Sequence, residues 1–412
     1  MTKLAVMNNA EWIATIIITR FSGLLSFAGS SLILFIIFAD CVNKWKRIHY
    51  RLLAGICFFD VLYSLCMIVS TAAIPKDTDD GYHIRGNIGN TATCKAQGFL
   101  LQLGALGMPL YLASLSLYYL LVIRYNVNDD VIRRKVEPFM HIISIAFPLG
   151  TAIAALCLNL YHHKLLLCWI EAEPFGCTVD ESIECTEAAN APKYEVAFAG
   201  IWFALVFIFE VICMGLIYGT VRKRERVMNA FSFRGRNGRI LVHSSNRVTV
   251  ERRDTAIQAI LYISAFVFTY VWPFVSFFMF HVTNARPNFV FVLMTMFFTP
   301  LLGFWNFLAF IRPRYMKLAR EHRNVSFWWK MKTILSSRIN AVPASPPPIT
   351  EAPRRLSIVT QSRRFSITTA AFFGANVSRR GSIESVTNIG TIATSSNETI
   401  NHHVIVEDTS ND

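Results

Sequence analysis

The sequence predicts an all-α membrane protein: a seven-transmembrane helix bundle followed by an amphipathic cytoplasmic helix and a disordered C-terminal tail. Of its 412 residues, 53% are hydrophobic and only 16% are charged, whereas soluble domains average about 25% charged residues. The mean hydropathy is +0.40. Seven apolar segments each have about the 20 residues that a helix needs to cross a bilayer. The formal charge of +13 is divided among loops and tail between these segments, so nucleic-acid binding is not indicated.

The apolar segments set the predicted domain boundaries. They lie at about 14–38, 50–73, 96–123, 138–160, 194–219, 256–281 and 288–311. We therefore predict a short extracellular N-terminus at 1–13, a seven-helix domain at 14–312, an amphipathic juxtamembrane helix at 313–336 and a disordered cytoplasmic tail at 337–412. The first segment is too long for the apolar region of a cleavable signal peptide, so we expect it to insert as an anchor.

Basic residues predict the orientation. They follow the first, third and fifth segments, while acidic residues dominate the alternate connections. The positive-inside rule then places the N-terminus outside and the C-terminus in the cytoplasm of a multi-pass plasma-membrane protein. The connection after the first segment carries Lys44, Lys46, Arg47 and Arg51. The candidates for contact with a cytoplasmic partner are Arg124, Tyr125, Arg222, Lys223, Arg252 and Arg253, although arginine is also an ordinary residue at a membrane boundary.

The seventh segment combines an uncharged stretch with three residues that modify a helix. No charge occurs from 288 to 311, and the segment is predicted to stop at Arg312-Pro313-Arg314. Pro300, Gly303 and Asn306 recur every three residues and so share a helix face. Proline interrupts the backbone hydrogen bonds, glycine permits close helix contact, and asparagine needs a hydrogen-bond partner.

Two carboxylic acids lie within apolar segments, Asp60 in the second and Glu210 in the fifth. A carboxylate at this depth is costly in lipid and is expected to face the bundle interior. Each is either an ion- or water-linked switch, with Asn306 as a partner for Asp60, or a hydrogen-bonded packing group. In the sixth segment, Trp272-Pro273 indicates either a hinge or an ordinary kink. Small residues in the first segment predict a helix-packing face: Ser22, Ser26, Gly29 and Ser30.

Four cysteines fall on the predicted outer side, where disulfides are expected. They are Cys94, Cys168, Cys177 and Cys185. Three pairings are possible, and the sequence alone does not choose among them. We favour Cys94–Cys168, which ties the outer loop to the third helix, together with Cys177–Cys185. The remaining five cysteines are predicted to be unpaired.

The part after the seventh segment predicts two kinds of regulation. Basic and aromatic residues alternate within 313–336, which suits a helix lying on the anionic lipid of the inner leaflet. The tail repeats Arg-Arg-x-Ser-Ile three times, with the serines at Ser357, Ser366 and Ser382. Paired arginines before a serine favour a basophilic kinase, and each phosphate would add a charge of about −1.5 to −2.

The chain resembles G-protein-coupled receptors of the cyclic-AMP-receptor-like and secretin/adhesion-like group over about 14–320. The resemblance rests on Cys94 opening the third helix, on Cys168-Trp169-Ile170, and on the run LLGFWNFLAF in the seventh segment. It implies a heterotrimeric G protein as cytoplasmic partner and an extracellular small-molecule or peptide ligand. The N-terminus is too short for a hormone-binding ectodomain, and Ile123 precedes Arg124 where rhodopsin-like receptors carry an acid.

The sequence carries few features of the other membrane-protein classes. A transporter or channel usually shows inverted repeats or several buried ionisable groups, and only Asp60 and Glu210 lie deep in the apolar segments. A retinal protein needs a lysine in the seventh helix, and none occurs between Lys223 and Lys317. No nucleophile–base pair, metal cluster or phosphate-binding glycine loop is visible. The sequence therefore predicts no enzymatic activity, no metal and no cofactor.

Overall fold

The structure, a computed structural model, describes residues 9–78, 84–178, 183–234, 242–281, 289–322 and 326–336. Seven helices within these ranges are long and apolar enough to cross a membrane, which confirms the predicted seven-helix fold class. Spans 1 to 7 are, in chain order, Asn9–Ala39, Ile48–Ala73, Thr91–Ile123, Glu137–Cys157, Ala191–Lys223, Ala256–Ser276 and Phe289–Glu321.

Several spans depart from a single uniform α-helix. Span 2 is α-helical over Ile48–Val69 and ends in the 3-10 turn Ser70–Ala73. Span 5 begins with Ala191–Glu195, passes through the π-helical Val196–Gly200, and continues as the α-helix Ile201–Arg234. Span 6 lies within the long helix Val242–His281. Span 7 consists of Phe289–Phe298, the 3-10 turn Thr299–Leu301 and Leu302–Glu321. Three short helices are Cys41–Lys44, Asp129–Lys135 and Phe327–Ser336.

The spans pack together around a shared apolar core. Span 1 packs on spans 2 and 7, span 2 on span 3, span 3 on spans 4, 5 and 6, span 5 on span 6, and span 6 on span 7. Fully buried side chains from six of the spans meet in this core: Ile33, Leu52, Leu112, Ile217, Phe266 and Leu302. Span 4 contributes less to the core because it contacts mainly span 3. Span 3 contacts spans 2, 4, 5 and 6 and so lies at the centre of the bundle.

Glycines set the closest contacts between spans. A Cβ on Gly104 of span 3 would lie 2.9 Å from the Tyr63 nitrogen and 3.0 Å from the Phe59 oxygen in span 2. A Cβ on Gly29 of span 1 would lie 2.8 Å from the carbonyl oxygen of Gly303 in span 7. The small residues of span 1 are thus a packing face, and Ser22, Ser26 and Ser30 are fully buried.

Two disulfides and a β-hairpin cover one end of the bundle, which we call the disulfide end. Strands β1 (Tyr161–Lys164) and β2 (Leu167–Ile170) pair antiparallel, with Tyr161 opposite Ile170. Cys94 of span 3 bonds to Cys168 in β2, and Cys177 bonds to Cys185. Both favoured pairings are confirmed, and the five remaining cysteines are free thiols. We call the opposite end, where spans 1, 3 and 5 finish, the basic end.

The end of span 7 differs from the prediction. Instead of stopping at Pro313, the helix continues through it to Glu321. Proline is tolerated in a membrane helix because it removes one backbone hydrogen bond while its neighbours keep theirs. The predicted single helix at 313–336 is therefore two pieces, the continuation of span 7 and Phe327–Ser336, which contact through Tyr315 and Phe327 rings 5.7 Å apart.

Candidate functional site

Asp60 lies at the centre of a hydrogen-bonded group that joins spans 1, 2 and 7. Its carboxyl is fully buried and accepts hydrogen bonds at Oδ2 from Ser30 Oγ at 2.7 Å and from Ser26 Oγ at 3.0 Å. Ser26 Oγ in turn accepts the Gly303 backbone N–H at 2.8 Å. We call Asp60, Ser26, Ser30, Gly303 and Asn306 the central polar junction.

The sequence explains why these groups meet. Ser26 and Ser30 lie four residues apart in span 1, so one helix face presents both hydroxyls. The 3-10 turn at Pro300 restarts the helix at Leu302, which leaves the Gly303 N–H in the first turn, where backbone donors have no partner within the helix. Because Gly303 has no side chain, this donor approaches Ser26 directly. A Cβ there would overlap Asp60 Oδ2 and Ser30 Oγ.

Asn306 is fully buried one turn further along the same face of span 7. Neither its amide nitrogen nor its oxygen has a hydrogen-bond partner among the described residues, so the pair expected between Asp60 and Asn306 is not formed. The hydroxyls of Thr269 and Tyr270 in span 6 are also buried without a partner in that part of the chain. The junction thus has unmet hydrogen-bonding capacity on the side of spans 6 and 7.

Glu210 forms a second buried polar contact, between spans 5 and 3. It is fully buried, and its Oε2 accepts a hydrogen bond from Ser116 Oγ at 2.7 Å. Its other oxygen, Oε1, has no partner within the described ranges. The carboxyl therefore faces span 3, a direction that the sequence left open.

Trp272 and Pro273 lie where span 6 meets span 7. The helix passes through Pro273 without ending. The indole of Trp272 stacks on Phe298, with ring centres 5.4 Å apart and planes at 10°, and also contacts Phe291 at 5.8 Å. Phe298 is the last α-helical residue before the 3-10 turn that contains Pro300. The predicted hinge of span 6 is therefore in contact with the break in span 7.

The basic end presents several of the predicted partner-contacting residues. Arg124 follows the last residue of span 3, with its guanidinium 3.5 Å from Thr220 Oγ1 and 5.9 Å from the centre of the Tyr125 ring. The Tyr125 side chain is exposed, as are Arg222 and Lys223 at the end of span 5. The other two candidates, Arg252 and Arg253, have side chains outside the described part of the structure.

Two further contacts at the basic end were missed from the sequence. Arg51 of span 2 donates to both oxygens of Glu137 at the start of span 4, at 2.5 and 2.6 Å. His141 lies 3.5 Å from Glu137 and 3.0 Å from the hydroxyl of Tyr111 in span 3. Only the isolated acid at the start of span 4, after three basic residues, signals this network in the sequence. It ties spans 2, 3 and 4 together beside the exposed basic residues.

Lys44 is a buried cation just beyond span 1. Its Nζ donates to the Ile36 carbonyl at 2.5 Å and lies 3.8 Å from Asp40. Burial, with the positive charge of Arg314 nearby, lowers the pKa of Lys44 to about 8, although Asp40 opposes this change. Keeping the Lys44 ammonium charged in the folded protein therefore lowers the stability by an amount that depends on pH.

At the disulfide end, glutamine side chains hold the β-hairpin on span 3. Gln97 Oε1 accepts the Cys168 N–H at 2.8 Å, and Gln102 Oε1 accepts the Trp169 indole N–H at 2.8 Å. Lys164 in β1 pairs with Glu195 at 2.6 Å. Burial lowers the pKa of Lys164, but Glu195 and a second carboxylate outweigh it, and the net pKa is raised. The hairpin is a fixed cover over this end.

Comparison with known proteins identifies the fold. No protein-family model matches the chain, and no curated protein matches it. Among solved structures, the crystal structure of squid rhodopsin matches with a TM-score of 0.54 at 14% sequence identity, over 82% of this chain and 94% of the rhodopsin chain. The narrower resemblance to cyclic-AMP-receptor-like and secretin/adhesion-like receptors stays a prediction. At this identity the match establishes the fold alone, and the chain has a rhodopsin-like seven-helix fold.

Proposed function

We propose that this protein is a G-protein-coupled receptor that transmits an extracellular ligand signal to a cytoplasmic heterotrimeric G protein. The rhodopsin-like seven-helix fold is the observation that carries the proposal. Retinal is not part of it, because no lysine occurs between Lys223 and Lys317 to form the Schiff base. The ligand is proposed to be a small molecule or peptide that binds at the disulfide end, with the N-terminus outside the plasma membrane.

A ligand acts on such a bundle by binding one of two conformations more tightly and so shifting their populations. The central polar junction and the Glu210–Ser116 contact lie at span interfaces inside the bundle, where a change in helix packing alters hydrogen bonding directly. At the basic end, Arg222 and Lys223 are exposed and are proposed to contact an acidic surface of the G protein. Arg124 lies beside them, next to Thr220.

Tail phosphorylation is proposed as the regulatory step. Ser357, Ser366 and Ser382 lie outside the described residues, and the proposal rests on the three Arg-Arg-x-Ser-Ile repeats. A basophilic kinase would add negative charge there and weaken attraction to anionic inner-leaflet lipid. The exposed Trp328 and Trp329 in the helix Phe327–Ser336 suit such a lipid surface. Replacing the three serines by alanine should prolong signalling, and an unchanged duration would count against the proposal.

Because the ligand is unidentified, the test measures basal coupling. Membranes containing the protein and each of a panel of G proteins are assayed for guanine-nucleotide exchange against membranes without the protein. We expect one class of G protein to exchange faster, and the variants Arg124→Ala and Arg222→Ala to reduce that rate several-fold. Lys193→Ala is the matched control, since Lys193 is an exposed cation at the disulfide end. If no G protein responds while reconstituted vesicles show solute flux, the transporter or channel alternative replaces the receptor.

A further inference from the structure

A histidine and two glutamates converge beside the β-hairpin at the disulfide end. One ligand atom each from His162, Glu173 and Glu187 lie within 4.8 Å of one another. His162 lies in β1, and its side chain is only 8% exposed. Glu173 and Glu187 lie in the loop that leads to span 5, and each side chain is 54% exposed. The three residues therefore combine a buried imidazole with two exposed carboxylates.

Oxygen atoms lie near both nitrogens of the His162 imidazole. His162 Nδ1 lies 2.5 Å from Glu173 Oε2, while Nε2 lies 2.7 Å from the Asn159 carbonyl oxygen and 3.8 Å from Glu187 Oε2. Both ring nitrogens thus face oxygen acceptors, and a neutral imidazole has one hydrogen to donate. When the ring hydrogen lies on Nε2, toward the Asn159 carbonyl, the lone pair of Nδ1 is available to a metal ion. No lysine or arginine in the described ranges forms an ion pair with Glu173 or Glu187, so the carboxylates also lack other balancing charge.

The backbone holds residues 173 and 187 side by side before any ion binds. Glu173 and Glu187 pair as an isolated antiparallel bridge, with the Glu173 N–H donating to the Glu187 oxygen at 3.1 Å and the Glu187 N–H donating to the Glu173 oxygen at 3.2 Å. The Cys177–Cys185 disulfide closes the loop between them. A site whose ligands are already near one another loses little chain entropy when it binds.

A further oxygen, from Asn159, adjoins the cluster. The Asn159 amide nitrogen donates to Glu187 Oε2 at 2.5 Å, and the Asn159 Oδ1 is buried without a partner in the described part of the chain. Together these groups supply one nitrogen and several oxygens, a set that suits zinc, which binds imidazole and carboxylate at about 2.0–2.2 Å in tetrahedral sites. We propose that His162, Glu173 and Glu187 bind a zinc ion, which ties the loop before span 5 to the β-hairpin.

In a zinc site the ligand atoms lie about 3.3 Å apart, as tetrahedral geometry at these bond lengths requires. Glu173 Oε2, now 2.5 Å from His162 Nδ1, reaches that spacing by moving outward about 0.8 Å, and Glu187, now nearer Nε2, must swing toward Nδ1. The exposure of both carboxylates permits these movements. Asn159 then holds the imidazole through its carbonyl oxygen, as metal-bound histidines commonly require.

The experiment measures Zn²⁺ binding to the purified full-length protein in detergent by titration calorimetry. His402 and His403 in the tail are another source of zinc ligands, so both are first replaced by glutamine in all samples. In this background, Glu173→Gln and Glu187→Gln should each weaken Zn²⁺ binding about 10- to 100-fold or more. Glu184→Gln is the matched control, because Glu184 is an exposed acid in the same disulfide loop, and should leave the affinity unchanged.

Glu187→His separates loss of a ligand from loss of the fold. It removes the carboxylate but supplies another zinc ligand, and it should retain affinity within a few-fold where Glu187→Gln does not. Excess Ca²⁺, which prefers oxygen ligands alone, should not displace Zn²⁺. The proposal is overturned if the background protein binds no Zn²⁺, if the glutamine variants bind it as tightly as that protein, or if Ca²⁺ competes.

Discussion

The central polar junction depends on the missing side chain of Gly303, and replacing that glycine by alanine tests the arrangement directly. The added methyl group would overlap Asp60 Oδ2 and Ser30 Oγ and would lie 2.7 Å from Ser26 Oγ. None of these oxygens can move away from the added methyl group without lengthening a hydrogen bond, because both serines donate to Asp60 and Ser26 also accepts from the Gly303 N–H. Gly303→Ala should therefore separate span 7 from spans 1 and 2.

The expected cost follows from three contributions. Forcing an extra methyl group into a packed contact costs about 1–3 kcal/mol, and weakening one buried hydrogen bond costs about 1 kcal/mol more. Alanine returns about 1 kcal/mol through its better helix propensity. The net loss is about 1–3 kcal/mol, which in a domain of this size corresponds to a melting temperature lower by roughly 2–10 °C.

The assay is thermal unfolding of the purified protein in one detergent at one scan rate, since membrane proteins often unfold irreversibly. Gly150→Ala in span 4 and Gly215→Ala in span 5 are matched controls, because a Cβ at either position would meet nothing within 4 Å. Both should melt at or slightly above the unmodified protein. If Gly303→Ala melts with these controls instead of below them, the close contact between Gly303 and Asp60 is wrong.

Three further changes probe other contacts by the same assay. Ser116→Ala removes the donor to buried Glu210 and should cost about 1–3 kcal/mol; an unchanged melting temperature would contradict that bond. Cys94→Ser should cost about 2 kcal/mol more than Cys177→Ser, because the disulfides span 74 and 8 residues and loop closure depends on that length; equal losses would refute this reasoning. Burial and a nearby arginine lower the pKa of Lys44 to about 8 from 10.5, so the folded chain binds fewer protons between those values. Stability relative to Lys44→Met should therefore rise with pH from about 8 to 10.5, and a pH-independent difference would exclude the shift.

The fold and the disulfides were predictable because each depends on a constraint that acts along the sequence. Lipid demands about 20 apolar residues per helix, so the seven spans are visible as composition. Cysteines on one side of the membrane restrict pairing to a few choices, and both favoured pairs form. The predicted end of span 7 was wrong because Pro313 was expected to terminate the helix, whereas a membrane helix tolerates the loss of one backbone hydrogen bond.

The contacts of the site were less predictable because they depend on how each helix is rotated. Ser26 and Ser30 were assigned to packing, since small residues commonly line helix contacts in lipid, yet they are also the hydrogen-bond donors to Asp60. Asn306 was paired with Asp60 from its polarity alone, and no such bond forms. The Arg51–Glu137 pair joins residues 86 positions apart on spans that are not consecutive, so no local sequence pattern predicts it.

The distribution of hydrogen bonds indicates which span moves most easily. Spans 1, 2 and 7 are joined at Asp60 by bonds that a shift would break, at about 1 kcal/mol or more each. In span 6 the buried polar atoms of Thr269, Tyr270 and Trp272 have no partner among the described residues, so moving that span breaks none of their bonds and permits new ones. Its side-chain hydrogen bonds to neighbouring spans are long, from Ser276 to Thr295 at 3.3 Å and from Ser264 to the Met214 sulfur at 3.7 Å. Trp272 also stacks on Phe298 just before the break at Pro300, a contact that is apolar and can slide. We therefore expect rearrangement to occur at span 6, about Pro273, while the junction at Asp60 stays closed.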